Sequence, residues 1–477
     1  MPRVFGHYVP APLVGLAVCE AAIVIGSVYL GLALPFVGFN PIYPAWGDGF
    51  APAIILAALV LTTAHVASLY DMRQNYGRPE LLVRLGTAFL TAYLTIATLG
   101  YMALPLTLAR KAFLLSFVTA FPASFLLRLA HTRLTVASRT RHKVLVLGSG
   151  EASRLVASAV RECPNYELVG RLDVDGTDGG DADGVWSLGA LSDLDWVSKV
   201  TRPDVIVVAL EERRGTLPVA EIVESKLRGV VVEDWPTFYE KLTGKIPIDN
   251  LRPSWLVFAD GFNPTRLTRL TKRAIDLLVS LTAVALCAPL LLAIAVAIRM
   301  DSRGPILFRQ ERVGQFGRVF RIFKFRSMRA DAHHMIPVLG SPDPRVTRMG
   351  RLLRRTRLDE LPQLFNVISG DMSLVGPRPE WVALVAEFRE KVPLYVHRLA
   401  VKPGITGWAQ VLNPYGATVE NTVEKLQYDL YYIKNMSIFL DMLILLHTVH
   451  IVLLTRGSEE WKRKNQTPST TSVSFAG

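Results

Sequence analysis

The sequence predicts a membrane protein of mixed class, in which a four-helix bundle is followed by two α/β domains. Three observations lead to this prediction. Four apolar segments occupy the first quarter of the 477-residue chain. From His142 onward, short apolar strands alternate with helical patterns, as in a parallel α/β sheet. A fifth apolar run, Leu277–Ile298, then opens the last part of the chain.

The composition is both apolar and basic. Hydrophobic residues make up 50% of the chain, and 53 Lys and Arg stand against 41 Asp and Glu, for a net charge of +12. Such a chain is typical of proteins that meet anionic lipid or phosphate-bearing ligands. Cys19, Cys163 and Cys287 are far apart and form no C-x-x-C pair. They predict neither a disulfide framework nor a zinc site, and they fit a chain that faces the cytosol.

Residues 1–134 are interpreted as a transmembrane bundle. Each apolar segment approaches the roughly 20 residues that span a bilayer. The segments are Pro12–Pro35, Phe50–Leu69, Leu81–Leu104 and Ala112–Leu129. Glu20 is the one acid inside them, and we expect it to face the bundle interior. The alternative for the first segment is a signal peptide, but it has no A-x-A exit and three similar segments follow.

The basic residues predict the orientation of the bundle. The predicted cytoplasmic side carries Arg3, Arg73, Arg78, Arg133, Arg139, Arg141 and Lys143. The first opposite loop, Gly38–Gly49, has no Lys or Arg, so both ends of the bundle are expected in the cytoplasm. Arg110 and Lys111 in the second outer loop weaken this argument without reversing it.

Residues 140–262 are predicted to form a Rossmann-like cytoplasmic domain. Gly148 and Gly150 stand between its first strand and first helix, where glycines let a phosphate approach the helix. Ser153 replaces the third glycine of the dinucleotide fingerprint, so a tight turn without cofactor is an equal alternative. Asp173 or Asp175 could bind a ribose hydroxyl, but their Asp-rich stretch also reads as a solvated loop.

The fifth apolar run, with flanks covering about residues 272–299, is expected to be a re-entrant membrane helix. Lys272 and Arg273 precede it and Arg299 follows it, which favours both ends on the cytoplasmic side. Pro289 near its middle removes a backbone bond and predicts a helix-break-helix. A straight crossing is the alternative, and it would move everything after Arg299 outside the cell.

The stretch "RLDELPQLFNVISGDMSLVGPRPE", Arg357–Glu380, carries the candidate chemistry. Pro362 fits the first turn of a helix, which puts Asp359 and Glu360 at or just before that helix. The positive helix end would attract a phosphate and help to keep Asp359 ionised. A carboxylate there can attack phosphorus. Without the surrounding motifs, the salt-bridged start of a helix is a simpler interpretation of these residues than a catalytic site.

The surrounding motifs resemble a known family. In order they are "KRAIDLLVSL", "GPILFRQERVGQFGRVFRIFKFRSM", the Asp359-Glu360 stretch and "VKPGITGWAQV". Together they resemble the bacterial sugar transferases, the monotopic phosphoglycosyl transferases that move a hexose-1-phosphate onto a polyprenyl phosphate. The resemblance covers about Arg269–Leu454, within a predicted catalytic domain at 266–457. The amino-terminal domains resemble the large, exopolysaccharide-type members. The tail, 458–477, reads as disordered.

The resemblance implies a reaction and a set of residues. Asp359 would attack the sugar-bearing phosphate of a UDP-sugar, with Glu360 assisting, and undecaprenyl phosphate would then take the sugar phosphate. Arg354 and Arg378 match phosphate-contacting arginines, and Pro379 together with Pro377 would fix the backbone of Arg378. The further candidate phosphate contacts are Lys324, Arg326 and Lys402. Arg351, Arg355 and Arg357 are expected at the surface or on lipid headgroups.

The expected cofactor is Mg²⁺, bound by Asp359 and substrate phosphates. His333 and His334 lack a second ligand pair at zinc spacing. The expected location is the bacterial inner membrane, with the catalytic domain on the cytoplasmic side, as a homodimer and without a nucleic-acid partner. Family members have Ser-Pro at the helix break, whereas Ala288-Pro289 stands here. Two other functions stay open: a non-catalytic scaffold of polysaccharide assembly, and an NAD-dependent sugar-nucleotide dehydratase, for which Tyr239-Glu-Lys241 has the wrong spacing.

Overall fold

The structure is a computed structural model, and the description covers part of the chain. The described residues are 3–4, 7–8, 11–33, 50–67, 69–70, 78–102, 110–137, 141–174, 185–210, 216–248, 261–329, 345–413 and 419–454. The predicted disordered tail, the outer loop 38–49, and His333 and His334 lie outside these ranges. The chain divides into two compact units, Met1–Ala259 and Asp260–Gly477.

The first unit begins with a short hairpin and four helices. The hairpin pairs β1 (Arg3–Val4) with β2 (His7–Tyr8). The helices are α1 (Ala11–Ala33), α2 (Phe50–Val66), α3 (Arg78–Met102) and α4 (Arg110–Ala137). The four predicted helices are therefore present. The apolar parts of α1, α3 and α4 are long enough to cross a membrane, whereas that of α2, Phe50–His65, is shorter.

The interior of the bundle is largely apolar and aromatic, and it contains a buried charged pair. Phe89 and Tyr93 on α3 pack edge to face against Phe117 on α4. Glu20 is 1% exposed, which confirms the expectation that it faces inward. Arg128 donates to Glu20 Oε2 at 2.8 Å and to the carbonyl of Leu69 at 2.8 Å, and the hydroxyl of Tyr70 also donates to Glu20. The buried carboxylate thus joins α1, α4 and the end of α2.

The predicted parallel sheet is confirmed. Its five strands are β3 (His142–Leu147), β4 (Tyr166–Asp173), β5 (Ser187–Ala190), β6 (Val205–Val208) and β7 (Val231–Asp234). They pair in parallel in the order β5-β4-β3-β6-β7. The helices are α5 (Glu151–Glu162), α6 (Leu194–Thr201), α7 (Val219–Leu227) and α8 (Trp235–Thr243). Apolar clusters cover both faces, which explains why the strands read as continuous hydrophobic runs.

The second unit is mainly helical, with two small sheets. Its helices are α9 (Arg266–Asp301), α10 (Arg348–Thr356), α11 (Gln363–Ser369), α12 (Val382–Lys391), α13 (Trp408–Leu412), α14 (Val419–Lys434) and α15 (Ile438–Leu454). The strands β8 (Leu307–Val313) and β9 (Val319–Phe325) form an antiparallel hairpin. The strands β10 (Ser373–Val375) and β11 (Gly404–Thr406) pair in parallel.

Helix α9 contains the fifth apolar run, and helical conformation continues through Pro289. The segment is therefore one helix and not two, because one missing N–H need not end a helix whose neighbours keep theirs, and its re-entrant course stays a prediction. Toward the start of α9, Asp276 accepts from Ser373 Oγ at 2.8 Å and from Leu374 N at 3.1 Å. Toward its end, Ile294 and Ile298 join the core of the same unit. Between these anchors the leucines are exposed: Leu281, Leu286, Leu290 and Leu292.

Candidate active site

Asp359 and Glu360 lie in a single 3₁₀ turn, Leu358–Glu360, between α10 and α11. Arg357 ends α10 with φ 58°, a left-handed conformation that is uncommon for a side chain of this size and that redirects the chain into the turn. Leu358 packs into the apolar cluster formed by Ile294, Ile298, Phe325 and Leu353. The acid pair is thereby fixed beside the carboxyl-terminal end of the apolar helix α9.

Three cations meet at the carboxylate of Glu360. Lys324 Nζ, from β9, donates to Glu360 Oε1 at 2.9 Å. Arg378 approaches the same oxygen at 3.5 Å and Arg357 at 4.0 Å. The side chain of Glu360 is only 14% exposed, and burial alone would favour its neutral form. Lys324 and then Arg378 outweigh burial and lower the pKa of Glu360 below its ordinary value.

Asp359 is in the opposite electrostatic situation. Its Oδ1 is buried and accepts no hydrogen bond from the described residues. Burial first, and the negative charge of Glu360 second, raise its pKa, against the effects of Lys324 and Arg357. Burial and the neighbouring charge act against the expectation that the following helix keeps Asp359 ionised, and this expectation stays a prediction. Two adjacent carboxyl groups whose pKa values are displaced in opposite directions are suited to different roles.

The Gly-Pro-Arg-Pro loop, Gly376–Pro379, is held by close backbone packing. Gly376 N donates to Thr406 O, and Gly404 N donates to Pro377 O, both at 2.9 Å. A Cβ on Gly376 would lie 2.4 Å from the carbonyl of Lys402, and one on Gly404 would lie 2.1 Å from Gly376 N. Only glycine allows the two segments to approach this closely. This approach fixes the backbone from which Arg378 reaches Glu360.

Of the other predicted phosphate contacts, Arg326 and Arg354 have local hydrogen-bond partners, and Lys402 lies at the other end of α11. Arg326 is buried and donates to the carbonyls of Ser302 and Arg303 at 2.7 and 3.1 Å, so it fixes the turn that follows α9. Lys402 lies beside Arg273, where a Cβ on Gly370 would be 3.6 Å from its Nζ. That is the carboxyl end of α11, whereas Asp359 precedes its amino end. Arg354 is exposed and donates to Ser327 Oγ at 2.8 Å.

Two side chains near the loop were missed in the sequence. Arg312 on β8 donates to Pro379 O at 3.1 Å, and its guanidinium lies 5.3 Å from the ring centroid of Trp381. Burial lowers its pKa to about 10 despite the nearby acids Glu380 and Glu360. Arg357 was assigned to the surface, yet it contributes to the charge around Glu360. Both arginines lie in segments rich in basic residues, where spacing alone does not distinguish one from another.

The oxygen ligands that this site offers fit a hard cation that would be bound partly by the phosphates of the substrate. Among the described residues, no group of three or more His, Cys, Asp or Glu is placed to hold a metal ion. The partner-free Oδ1 of Asp359 offers one oxygen ligand. Mg²⁺ commonly takes one or two carboxylates and completes its shell with phosphate oxygens and water, so these residues fit Mg²⁺ and do not form a closed protein cage.

Two of the candidate nucleotide-binding residues in the parallel sheet make contacts within the domain itself. Gly148 has φ 116°, and a Cβ on it would lie 2.8 Å from the carbonyl of Ala209. Asp173 is buried, and its Oδ2 accepts from Arg171 and Ser187 at 3.2 and 3.0 Å. Gly150 begins α5 with φ 92° and no side-chain cap. Asp175 lies outside the described residues. Gly148 is accounted for by packing alone.

An apolar bundle and an exposed apolar helix indicate a membrane protein, and its cation-lined acid pair is a candidate phosphate site. Residues 267–455 match the bacterial sugar transferase family. An exopolysaccharide production protein of Rhizobium leguminosarum bv. phaseoli is 45% identical over 193 residues, which are 39% of this chain and 96% of the relative. The chain therefore belongs to the bacterial sugar transferase family.

Two other relatives have names that state a reaction. The UDP-N-acetylgalactosamine-undecaprenyl-phosphate N-acetylgalactosaminephosphotransferase of Aeromonas hydrophila is 44% identical over 220 residues, 46% of this chain and 51% of the relative. The undecaprenyl-phosphate glucose phosphotransferase of Komagataeibacter xylinus is 35% identical over 335 residues, 68% of this chain and 61% of the relative. The chain thus spans about half to three-fifths of the length of these two relatives.

Proposed function

We propose that the protein transfers a hexose-1-phosphate from a UDP-sugar to undecaprenyl phosphate, releases UMP and gives undecaprenyl-diphospho-sugar. The observation that carries this proposal is the buried Oδ1 of Asp359, which has no hydrogen-bond partner among the described residues and lies beside a carboxylate that Lys324, Arg357 and Arg378 approach. The names of the relatives support this substrate class. The reaction would be the first membrane step of exopolysaccharide, capsule or O-antigen assembly.

The proposed chemistry has two displacements at one phosphorus atom. An oxygen of ionised Asp359 attacks the sugar-bearing phosphate of the donor, and the bond to the bridging oxygen breaks, so that UMP leaves with that oxygen. A phosphate oxygen of undecaprenyl phosphate then attacks the aspartyl-linked phosphorus and displaces Asp359. The carboxylate is regenerated, and the sugar phosphate ends on the lipid.

The surrounding residues neutralise charge during these steps. Arg378 is 40% exposed, so its guanidinium can exchange part of its contact with Glu360 for a phosphate oxygen. Glu360 positions Lys324 and Arg378 and can accept a proton from an attacking group. Mg²⁺ bound by Asp359 and the substrate phosphates would supply further neutralisation of the diphosphate.

The membrane arrangement is part of the proposal. Helix α9 would enter and leave the membrane on the cytoplasmic side of the bacterial inner membrane, since its two ends pack into one unit. In a variant whose three native cysteines are replaced, single cysteines at positions 268 and 303 should both react with an impermeant maleimide from the cytoplasmic side. Reaction from opposite sides would mean a crossing helix. A homodimer is proposed on the resemblance alone, and mass measurement in native-lipid particles tests it.

The decisive experiment measures UMP release in native-lipid particles with Mg²⁺ and undecaprenyl phosphate. The donor panel is UDP-glucose, UDP-galactose, UDP-N-acetylglucosamine and UDP-N-acetylgalactosamine. We expect release with one or two sugars and no release from Asp359→Asn. The control Asp195→Asn makes the same chemical change on the exposed surface of α6 and should keep the wild-type rate.

Each alternative outcome has a meaning. If no sugar gives UMP, the scaffold interpretation replaces the transferase. If Asp359→Asn keeps its rate, another group is the nucleophile. Turnover that requires NAD and leaves the sugar nucleotide intact at its diphosphate would favour the dehydratase instead.

A further inference from the structure

A buried ion pair lies behind the Gly-Pro-Arg-Pro loop. Arg398 belongs to a 3₁₀ turn, Tyr395–Ala400, and Asp429 to α14; their side chains are 7% and 2% exposed. Arg398 Nε and Nη2 meet Asp429 Oδ2 at 3.0 and 2.8 Å, and Nη1 donates to the hydroxyl of Tyr395 at 2.9 Å. Burial raises the pKa of Asp429, whereas the adjacent Arg398 guanidinium lowers it, and the 2.8 Å contact has the geometry of an ion pair.

The same guanidinium also binds the loop. Arg398 Nη2 donates to the main-chain carbonyl of Arg378 at 3.1 Å. Prolines flank Arg378 and have no N–H with which to secure this stretch through ladder hydrogen bonds. Arg398 therefore supplies a bond at the residue whose side chain approaches Glu360 at 3.5 Å. The contacts run without interruption from α14 to the acid pair.

Arg398 does not itself contact a substrate. Its side chain is almost fully buried, and each of its three nitrogens has a protein acceptor. A buried charge pair is weak evidence for stability, because desolvation of the two ions offsets much of their attraction. The planar guanidinium of Arg398 binds a carboxylate, a hydroxyl and a carbonyl at fixed angles. This geometry is suited to positioning, and a lysine cannot reproduce it.

We propose that the buried Arg398–Asp429 pair is a positioning device for the proposed transferase reaction, which holds the main chain of Arg378 so that its guanidinium points at the substrate phosphates. This proposal rests on the proposed function. According to this proposal, Arg398 and Asp429 affect catalysis only through the position of Arg378.

A double-mutant cycle on UMP release tests this path. Arg398→Lys should lower kcat/KM about tenfold in the wild-type background, because displacement of a phosphate contact by a fraction of an ångström is costly. In the Arg378→Ala background, the same substitution should change kcat/KM by less than about twofold. Asp429→Asn provides a second cycle that leaves the Arg398 side chain in place, for use if Arg398→Lys fails to fold.

The control is Arg171→Lys, the same change at a buried arginine that pairs with Asp173 in the α/β domain. It should lower the unfolding temperature without changing kcat/KM of the folded protein. Equal losses from Arg398→Lys in both backgrounds would mean that the pair supports only the fold, and the proposal would be overturned.

Failure of the proposed function is distinguishable from failure of this inference. If wild-type protein releases no UMP, the same cycle is measured as the dissociation constant for inorganic pyrophosphate. Coupling between positions 398 and 378 in that measurement supports the positioning role without any turnover, whereas additive losses reject it.

Discussion

The turn after β3 in the α/β domain and the acid turn of the second unit both carry sequence features that predict phosphate binding, but they differ in what the fold leaves available. At the first, the space beside Gly148 is taken by the backbone of Ala209. At the second, Asp359 keeps a buried oxygen without a partner among the described residues, and cations gather at Glu360. A glycine pattern can be explained by packing alone, whereas uncompensated polar groups beside converging charges indicate chemistry.

After loss of Asp359 itself, the largest expected effect is that of Glu360→Gln. Removal of this charge releases Lys324 and Arg378 from their common partner, so kcat for UMP release should fall about a thousandfold. Glu387→Gln, which removes an exposed i,i+4 pair with Lys391 on α12, should keep the wild-type rate. A Glu360→Gln enzyme with unchanged kcat would mean that the cation cluster is only structural.

Two glycine substitutions sharpen the comparison directly. Gly376→Ala pushes the Arg378 loop away from Lys402 O, which lies 2.4 Å from the added Cβ, and should lower kcat/KM about a hundredfold. Gly148→Ala should instead destabilise the α/β domain by about 2 kcal/mol and leave kcat/KM of the folded protein intact. Thermal unfolding and UMP release, measured on both variants, separate these effects. If Gly148→Ala lowered kcat/KM and Gly376→Ala lowered only the stability, the turn after β3 would be the catalytic one and the Arg378 loop the structural one.

The arginines around Glu360 should rank by distance and exposure. Arg378→Ala is expected to lower kcat/KM about a hundredfold through loss of a charged phosphate contact. Arg357→Ala, whose guanidinium is 60% exposed and 4.0 Å from Glu360, should cost less than about threefold because exposed ion pairs are weak. Initial rates across donor concentrations give both values. Equal losses would mean that Arg357 also contacts the donor.

The smallest expected effect concerns the α/β domain. Millimolar NAD or ADP should shift its unfolding temperature by less than about 1 °C, since Ala209 packs against Gly148 and Asp173 Oδ2 is already bound. Asp173 Oδ1 has no hydrogen-bond partner among the described residues, and it is the atom that a ribose hydroxyl would use. A larger shift that disappears in Asp173→Asn would therefore indicate a nucleotide site.

The local elements were predictable where periodicity is strong. Apolar segments of membrane length and alternating strand-helix patterns gave the four amino-terminal helices and the parallel sheet. The path of α9 was harder to predict from the sequence. A proline lowers helix propensity, but it does not show whether the neighbouring backbone hydrogen bonds are kept. In the second unit, the strands β10 and β11 have three residues each, too few for a period to be recognised.

The site was predictable only in part, and for a physical reason. The Asp359-Glu360 pair and Arg378 stand in motifs that can be read from the sequence, and Lys324 is the direct hydrogen-bond partner of Glu360. Arg326 and Lys402 are basic residues in equally suggestive motifs, yet one secures a turn and the other lies at the far end of α11. Such assignments depend on long-range packing, which no local spacing encodes.

The Glu20–Arg128 contact in the amino-terminal bundle also constrains how the chain is made. The two residues are 108 positions apart, so at about 5–20 residues per second the ribosome delivers the arginine roughly 5–20 s after the acid. During that interval α1 carries an unpaired carboxylate, which is costly to expose to hydrocarbon. The first helix must therefore stay shielded at the insertion machinery until α4 arrives. Completion of the bundle consequently waits for its fourth helix, although most of the chain is still to be made at that point.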